Sequence, residues 1–243
     1  MLLNCDLGES FGRWSLGCDE EVMPFLDQAN VACGFHAGDP VTIGRTLELA
    51  ARHRVQVGAH PSYPDLAGFG RRSMALSDEE LRGSLHYQIS ALDGMAAIAG
   101  LELAYVKPHG ALYNDMMADD HLRGVIMDAV AAYPRPLRLM LQATPDAPVH
   151  RGEASERGLL LFLEAFADRR YEDNGRLQSR RIAGAVHERS RMLEQVAQLL
   201  ERGSVETSTG QELPLQADTL CVHGDNEAGI QAIREMREMI ASA

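Results

Sequence analysis

Acidic, amide, imidazole and amino side chains recur in this sequence at one kind of position, at or just after the end of a short apolar run. Six such runs are LLNCD, ANVAC, VQVGA, LAYVK, LLLFLE and TLCVHG. The polar residues that end or follow them are Asn4, Asp6, Glu9, His36, Asp39, His60, Asp65, Lys107, His109, Glu164, His223 and Asp225. Carboxylates and imidazoles transfer protons or bind metal ions, and a cation stabilises negative charge. The pattern therefore predicts one functional site assembled from many short segments.

Lys107, in the stretch VKPHGALYN, is distinctive because the sequence otherwise uses arginine for positive charge. Lysine and arginine together number 23, and 22 of these are arginines. An ammonium group is compact and its pKa shifts readily on burial, whereas a guanidinium is a wide planar fork. We therefore expect Lys107 to do something that arginine cannot. If it ends a strand at an open face, Lys107→Arg should reduce activity and leave stability nearly unchanged.

The same acids and histidines also permit a metal site. Zinc needs about three His, Asp or Glu ligands that converge on one point. Asp6, His60, His109 and His223 are candidates, but no H-E-x-x-H or H-x-x-x-H motif fixes two ligands locally. We therefore expect no tightly bound structural zinc. If a metal does bind, Asp6, His60 and His109 are the expected ligands.

The segments that must position these residues alternate between strand-like and helix-like patterns. A seventh apolar run is LRLML, and helical patterns cover residues 40–53, 77–100, 187–203 and 226–243. Strands that alternate with helices predict parallel β-α units. Seven strands without a long linker favour one (β/α) barrel over residues 1–243, with an open doubly wound sheet as the alternative. In such a barrel the carboxyl ends of the strands share one face.

Two shorter features are also interpretable. Ser77 and Glu80 have the spacing of a capping box and predict a helix start. The segment SVETSTGQELPL, residues 204–215, has a turn between two β-prone runs and predicts a small hairpin inserted into the barrel.

Composition excludes several classes of function. With 243 residues and 45% hydrophobic content the chain can bury a large core, while a net charge of −12 argues against nucleic-acid binding. Without an apolar run of about 20 residues or a signal peptide, we expect neither membrane association nor export. The four cysteines form no C-x-x-C pair, so we expect reduced thiols in a cytoplasmic protein. Cys5, Cys33 and Cys221 are interpreted as small fillers of the barrel.

An arginine-rich run, DRRYEDNGRLQSRR, covers residues 168–181. It is either a solvated loop or an anion clamp or subunit contact, and the residues alone leave these alternatives open. The sequence contains no G-x-x-x-x-G-K-[ST] motif, so any nucleotide must bind without a P-loop.

Several long motifs together resemble the LamB/YcsF family. They are LNCDLGE, ANVACGFHAGDP, GAHPSYPDLAGFGRR, VKPHGALYN, EAFADRRY and CVHGD, in the order of the family and between residues 3 and 225. The resemblance implies a TIM-like barrel of about seven strands, related to glycoside hydrolases and polysaccharide deacetylases. It also implies ATP-dependent opening of 5-oxo-L-proline to L-glutamate, with Mg²⁺, together with the separate subunits B and C of 5-oxoprolinase.

The family motifs fall on the residues already singled out by position. From the resemblance and the strand ends we expect catalytic roles for Asp6, His60, Lys107, His109, Glu164 and His223. Substrate or nucleotide binding is expected of Asn4, His36, Arg169 and Asp225. Lys107 and Arg169 suit phosphoryl oxygens, Asp6, Glu164 or His109 suit a water molecule, and His60 or His223 suits the leaving nitrogen.

Two other functions use the same residues. A stand-alone, metal-dependent amide or carbohydrate deacetylase would need the histidines as zinc ligands and would act without ATP. A non-catalytic scaffold for partner subunits would not need reactive residues at six strand ends. An ATPase assay with 5-oxoproline, with and without subunits B and C, separates these hypotheses.

Overall fold

The computed structural model describes residues 1–223 and 227–242. Its strands are β1 (Leu2–Leu7), β2 (Gln28–Ala32), β3 (Gln56–His60), β4 (Leu103–Val106), β5 (Arg138–Gln142), β6 (Leu160–Phe166), β7 (Ser204–Glu206), β8 (Glu212–Pro214) and β9 (Thr219–Cys221). Strands β1 to β6 and β9 form a closed barrel in which every pairing is parallel. The predicted seven-stranded barrel is confirmed. An open sheet is excluded because β9 pairs with both β1 and β6.

Helices connect successive strands on the outside of the barrel. They are α1 (Asp19–Val22), α2 (Pro40–His53), α3 (Asp78–Ile98), α4 (Gly110–Ala118), α5 (Asp120–Ala131), α6 (Ala147–Ser155), α7 (Arg189–Arg202) and α8 (Glu227–Ser242). The capping box of α3 is confirmed, since the Glu80 amide donates to Ser77 Oγ and the Ser77 amide donates to Glu80 Oε2. Among the described residues, none of these helices has both the length and the apolar character needed to cross a bilayer.

The predicted hairpin is also present. Strands β7 and β8 pair antiparallel, with Val205 opposite Leu213, between α7 and β9. Both of these side chains are buried in the hydrophobic core, so the hairpin packs on the barrel instead of extending from it.

The core has two layers separated by the barrel wall. Leu3, Cys5 and Leu7 of β1 belong to the hydrophobic cluster that includes the helix residues. Asn4 and Asp6 alternate with them and contact polar partners inside the barrel. This alternation follows from the period of two in a strand. It places hydrophobic packing outside the barrel and hydrogen-bonding groups inside.

Tyr105 fills the lower part of the barrel interior, and Gly58 makes room for it. A Cβ atom at Gly58 would lie 2.1 Å from Cε2 of the Tyr105 ring. The register between β3 and β4 also shifts between Val57 and Gly58. The Tyr105 hydroxyl donates to Asn30 Oδ1 at 2.7 Å. Tyr105 thus forms a floor below the polar residues at the strand ends.

We predict that Gly58→Ala lowers the free energy of unfolding by about 1–3 kcal/mol, since the added methyl group overpacks a rigid aromatic ring. Gly94→Ala is the matched control. Gly94 lies within α3, where an added Cβ meets no atom within 4 Å, so this change should stabilise the helix by about 0.5–1 kcal/mol. Urea unfolding of both variants measures the difference. Equal stability of the two would contradict the packing described for Tyr105.

Candidate active site

The centre of the polar interior is a lysine between two carboxylates. Lys107 directly follows β4, and its Nζ lies 2.9 Å from Asp6 Oδ1 and 2.8 Å from Glu164 Oε1. Burial disfavours the charged ammonium, but the negative charges, led by Asp6, outweigh it and raise the pKa of Lys107 well above its usual value. Lys107 is therefore a permanent cation in this site.

The expectation that Lys107 lies at an open face is wrong. Only 3% of the residue is exposed, and its Nζ also lies 3.3 Å from Cys221 Sγ and 5.6 Å from the centre of the Phe166 ring. A larger guanidinium would have to displace these neighbours. Lys107→Arg is therefore expected to cost stability as well as activity.

An amide network holds Asp6 from below. Asn30 Nδ2 donates to Asp6 Oδ1 and to Asn4 Oδ1, each at 2.8 Å, and Asn4 Nδ2 donates to Thr219 Oγ1 at 2.9 Å. Asn4 was expected to bind substrate, but its polar atoms bond within the protein, which favours a positioning role. Asn30 was not anticipated. Its signal in the sequence is the alternation of Gln28 and Asn30 on one face of β2.

Glu164 is enclosed on both sides. It is fully buried in β6, with Oε1 on Lys107 and Oε2 accepting from the Tyr113 hydroxyl at 3.0 Å. Tyr113 lies in α4, the helix that begins just after His109. Because these contacts occupy Glu164, Asp6 and the histidines are better placed than Glu164 to orient a water molecule.

Three histidines form a compact group beside Asp6. His60 Nδ1 lies 2.7 Å from the Lys107 carbonyl oxygen, and His109 Nε2 lies 2.9 Å from the Phe69 carbonyl oxygen. A carbonyl oxygen only accepts, so each of these nitrogens carries a proton. The other two nitrogens, His60 Nε2 and His109 Nδ1, face each other at 3.0 Å. The ring of His36 stacks on that of His109, with centroids 3.8 Å apart.

A tight loop before α3 fixes the position of His109. Gly70 has a φ of +63°, and its carbonyl oxygen accepts from the Ala111 amide at 2.8 Å. A Cβ atom at Gly70 would lie 2.8 Å from His109 Cδ2 and 2.9 Å from His36 Cβ. Glycine is therefore required here both for the left-handed conformation and for the close approach of the two imidazoles.

Glu9 completes this group from the loop after β1. Its Oε1 lies 3.2 Å from His36 Nε2 and 3.6 Å from His109 Nδ1. Burial raises the pKa of Glu9 and, together with the neighbouring histidines, lowers the pKa values of His36 and His109 well below their usual range. Both imidazoles are thus neutral at pH 7. Glu9 was expected near the end of β1, without a role in the site.

A second acid–imidazole pair lies on the other side of Asp6. His223 Nδ1 donates to Asp168 Oδ2 at 2.8 Å, and His223 Nε2 lies 3.7 Å from Asp6 Oδ2. Burial would lower the pKa of His223, but the negative charge and hydrogen bond of Asp168 outweigh burial and raise it. Asp168 was missed because it precedes Arg169 in a run that resembles a solvated loop. Asp225 lies outside the described residues.

The arginine-rich run is an ordered loop near this pair. Arg169 is 9% exposed and donates from Nη2 to the Gln178 carbonyl at 2.6 Å, and Arg170 Nη2 donates to the Ser208 carbonyl. Arg169 Nε is buried without a hydrogen-bond partner among the described residues. Burial and the positive charge of Arg180 lower the pKa of Arg169 to about 10. The buried Arg169 favours the anion-clamp alternative over the solvated loop.

The remaining strand-end residues have structural roles. Asp39 caps α2 by accepting from the amides of Val41 and Thr42, and Asp65 pairs with Arg72. Cys5, Cys33 and Cys221 are buried free thiols, as expected of fillers. Lys107 gives Cys221 an electropositive neighbour that the sequence did not reveal. Burial nevertheless raises the pKa of Cys221 well above its usual value, so it stays a thiol.

Together these features define a TIM-like α/β-barrel protein with a buried acid–base site at the carboxyl ends of its strands. The whole chain, residues 1–243, matches the LamB/YcsF family, and the protein belongs to that family.

Relatives and solved structures agree with this assignment. The chain is 54% identical over 241 residues to the 5-oxoprolinase A subunit numbered 2 of Pseudomonas putida, covering 99% of this chain and 93% of that protein. It is 53% identical to the 5-oxoprolinase A subunit of Chromohalobacter salexigens, covering 98% and 95% of the two chains. The crystal structure of the lactam utilization protein from Thermus thermophilus superimposes with a TM-score of 0.89, at 40% identity, over 99% and 97% of the two chains.

We predict that Lys107→Met lowers the free energy of unfolding by about 3–5 kcal/mol, because it leaves two buried carboxylates without their cation. Adding Glu164→Gln to that variant should recover part of the loss, since one of the two charges is then removed. Urea unfolding of the two single variants and the double variant gives the coupling energy. Additive effects would show that Lys107 and Glu164 do not form the ion pair.

Proposed function

We propose that this chain opens 5-oxo-L-proline to L-glutamate as the A subunit of an ATP-dependent 5-oxoprolinase. The observation that carries the proposal is similarity over nearly the full length to proteins named as 5-oxoprolinase A subunits, at 54% identity for the one from Pseudomonas putida. The acid–base groups of the site fit hydrolysis of an amide.

A five-membered lactam is an unreactive amide and needs activation. Transfer of the γ-phosphoryl group of ATP to the lactam carbonyl oxygen releases ADP and creates a better electrophile. Water then adds to the carbonyl carbon, the C–N bond breaks, and the nitrogen takes a proton. A second water releases phosphate, so one ATP and two waters yield ADP, phosphate and L-glutamate. This sequence needs a general acid, a group that orients water, and cations near phosphoryl oxygens.

The geometry divides these tasks among the expected residues. His223 suits the general acid, because Asp168 raises its pKa and keeps it protonated near neutral pH. Asp6 Oδ2 lies 3.3 Å from His60 Nε2 and 3.7 Å from His223 Nε2, which suits a water-orienting carboxylate. Lys107 is neutralised by two carboxylates, so its charge positions Asp6 instead of binding phosphate.

Arg169 is the better candidate for a phosphoryl group. Its Nε lacks a hydrogen-bond partner among the described residues, and an anionic oxygen would supply one. The positive charges of Arg180 and Arg71 also act on Arg169, so a bound anion would relieve their mutual repulsion. These observations support binding of the ATP phosphates at this edge of the site, with Mg²⁺ expected to accompany the nucleotide.

Partner subunits B and C are proposed because the named relatives are each one lettered subunit, the A subunit, of 5-oxoprolinase. The loop after β1, next to Glu9, carries an exposed aromatic and an exposed leucine, Trp14 and Leu16, at 68% and 43% exposure. Exposed apolar side chains beside an active site are suited to contact with a partner protein.

We predict little 5-oxoproline-dependent ATP hydrolysis by this chain alone and full activity after addition of subunits B and C. The assay measures phosphate release and glutamate formation with each subunit combination. Full coupled activity of the isolated chain would contradict the need for partners. Amide hydrolysis without ATP would instead support the deacetylase alternative.

Arg169→Gln tests the phosphate assignment within the same assay, with Arg176→Gln as the matched control. Arg176 is in the same run, but its side chain is exposed. We predict that Arg169→Gln raises KM for ATP by about 10-fold or more, the scale of one charged hydrogen bond, while Arg176→Gln does not. An unchanged KM for ATP would place the nucleotide on a partner protein and leave the proposed reaction intact.

We predict that Asp168→Asn lowers kcat of the complex by about 10²-fold or more and shifts its pH profile. A general acid must be protonated, so activity is lost as pH rises through its pKa. Removing the negative charge of Asp168 lowers the pKa of His223, and the alkaline limb of the profile should therefore move to lower pH. A lower kcat with an unshifted alkaline limb would reduce Asp168 to a packing role.

A further inference from the structure

The group formed by Glu9, His36, His60 and His109 brings one potential ligand atom from each residue within 4.8 Å of the others. In this group His60 Nε2 and His109 Nδ1 face each other at 3.0 Å. Their opposite ring nitrogens are the ones that donate to backbone carbonyls. In the neutral imidazoles, both facing nitrogens therefore present lone pairs. Two lone pairs at this distance repel each other unless a cation lies between them.

We propose that Glu9, His60 and His109 bind one divalent transition-metal ion. The site does not depend on the reaction proposed above, and it differs from the ligand set expected from the sequence in having Glu9 in place of Asp6. The distances agree with a shared ion. Ligand atoms at about 2.0–2.2 Å from one metal lie about 3.0–3.5 Å from each other. The corresponding separations here are 3.0 Å between the two nitrogens and 3.6 Å from His109 Nδ1 to Glu9 Oε1.

A proton is the competing occupant, and it accounts for fewer contacts. A proton on His60 Nε2 would satisfy His109 Nδ1 or Asp6 Oδ2, which lies 3.3 Å away. It would leave the Glu9 carboxylate beside the uncharged His109 in a buried position. A divalent ion satisfies both nitrogens and the carboxylate at once, and its charge offsets the burial of Glu9.

His36 orients the carboxylate instead of binding the ion. Its ring is parallel to that of His109, at 8° between the planes, so the in-plane lone pairs of the two rings cannot converge on one point. His36 Nε2 lies 3.2 Å from Glu9 Oε1 and is placed to donate to it. Such hydrogen bonds from the outer shell fix the position of a ligating carboxylate. Asp6 remains paired with Lys107 through Oδ1.

Two imidazoles and one carboxylate are ligands that suit Zn²⁺, Co²⁺, Ni²⁺ or Mn²⁺ more than Ca²⁺ or Mg²⁺, which prefer oxygen alone. With three protein ligands, a position on the ion stays open for water or a carbonyl oxygen. An ion in such a position lowers the pKa of bound water and polarises a carbonyl group.

The experiment titrates the metal-free protein with ZnCl₂ by calorimetry and with CoCl₂ by visible absorption. We expect about one equivalent to bind and the thermal midpoint to rise with metal concentration. Glu9→Gln and His109→Gln should weaken binding by more than the about 10–100-fold that loss of an outer-shell partner costs, and His36→Gln should fall within that range. Glu9 has a partly exposed side chain, so Glu9→Gln tests the site even if His109→Gln does not fold.

His121→Gln is the matched control. His121 Nε2 lies 3.0 Å from Asp78 Oδ1 in an exposed histidine–acid pair on the protein surface. This variant should bind metal like the unmodified protein. Failure of the unmodified protein to bind about one equivalent, or binding that Glu9→Gln and His109→Gln leave unchanged, would overturn the proposal and assign the space between the imidazoles to a proton.

Discussion

The site depends on one constraint, the burial of Lys107 between Asp6 and Glu164 inside a closed barrel. Two carboxylates at opposite sides of a narrow interior would repel each other without a cation between them. The ammonium removes that repulsion and holds Asp6 in a fixed position against the strand β1 backbone. Every other polar contact of Asp6, from Asn30 below to the histidines beside it, presupposes this position. A buried ion pair of this kind specifies geometry more than it adds stability.

Asp6 also joins the two halves of the site. On one side are Glu9, His36, His60 and His109, whose neutral imidazoles and buried carboxylate suit a cation. On the other side, His223 is paired with Asp168 and stays protonated more readily, close to the arginines of the ordered loop. Cation-binding and anion-binding chemistry therefore meet across one carboxylate. This separation of charge suits a reaction that must polarise an amide and also stabilise a transferred phosphoryl group.

Much of this arrangement was predictable from the sequence, because local patterns fix it. The strands, the hairpin, the start of α3 and the polar strand ends follow from periods of two and of 3.6 and from capping residues. Contacts across the barrel are different, since they join residues far apart in the chain. The burial of Lys107, the pairing of Asp168 with His223 and the approach of Glu9 to His109 depend on barrel closure and loop geometry. Local patterns contain neither, so Lys107 was expected at an open face and Asp168 in a solvated loop.

The use of a single lysine among 22 arginines follows from the shape of the interior. The Lys107 stem passes beside Phe166 and Cys221 and ends in a point charge that is 2.8 and 2.9 Å from two carboxylate oxygens. A guanidinium spreads its charge over a planar fork and needs space on several sides, which the interior does not offer. Arginine suits the rim, where Arg169 presents an unsatisfied N–H group to an incoming anion. The two kinds of cation are thus divided by depth, with the compact one buried to position acids and the planar ones at the mouth.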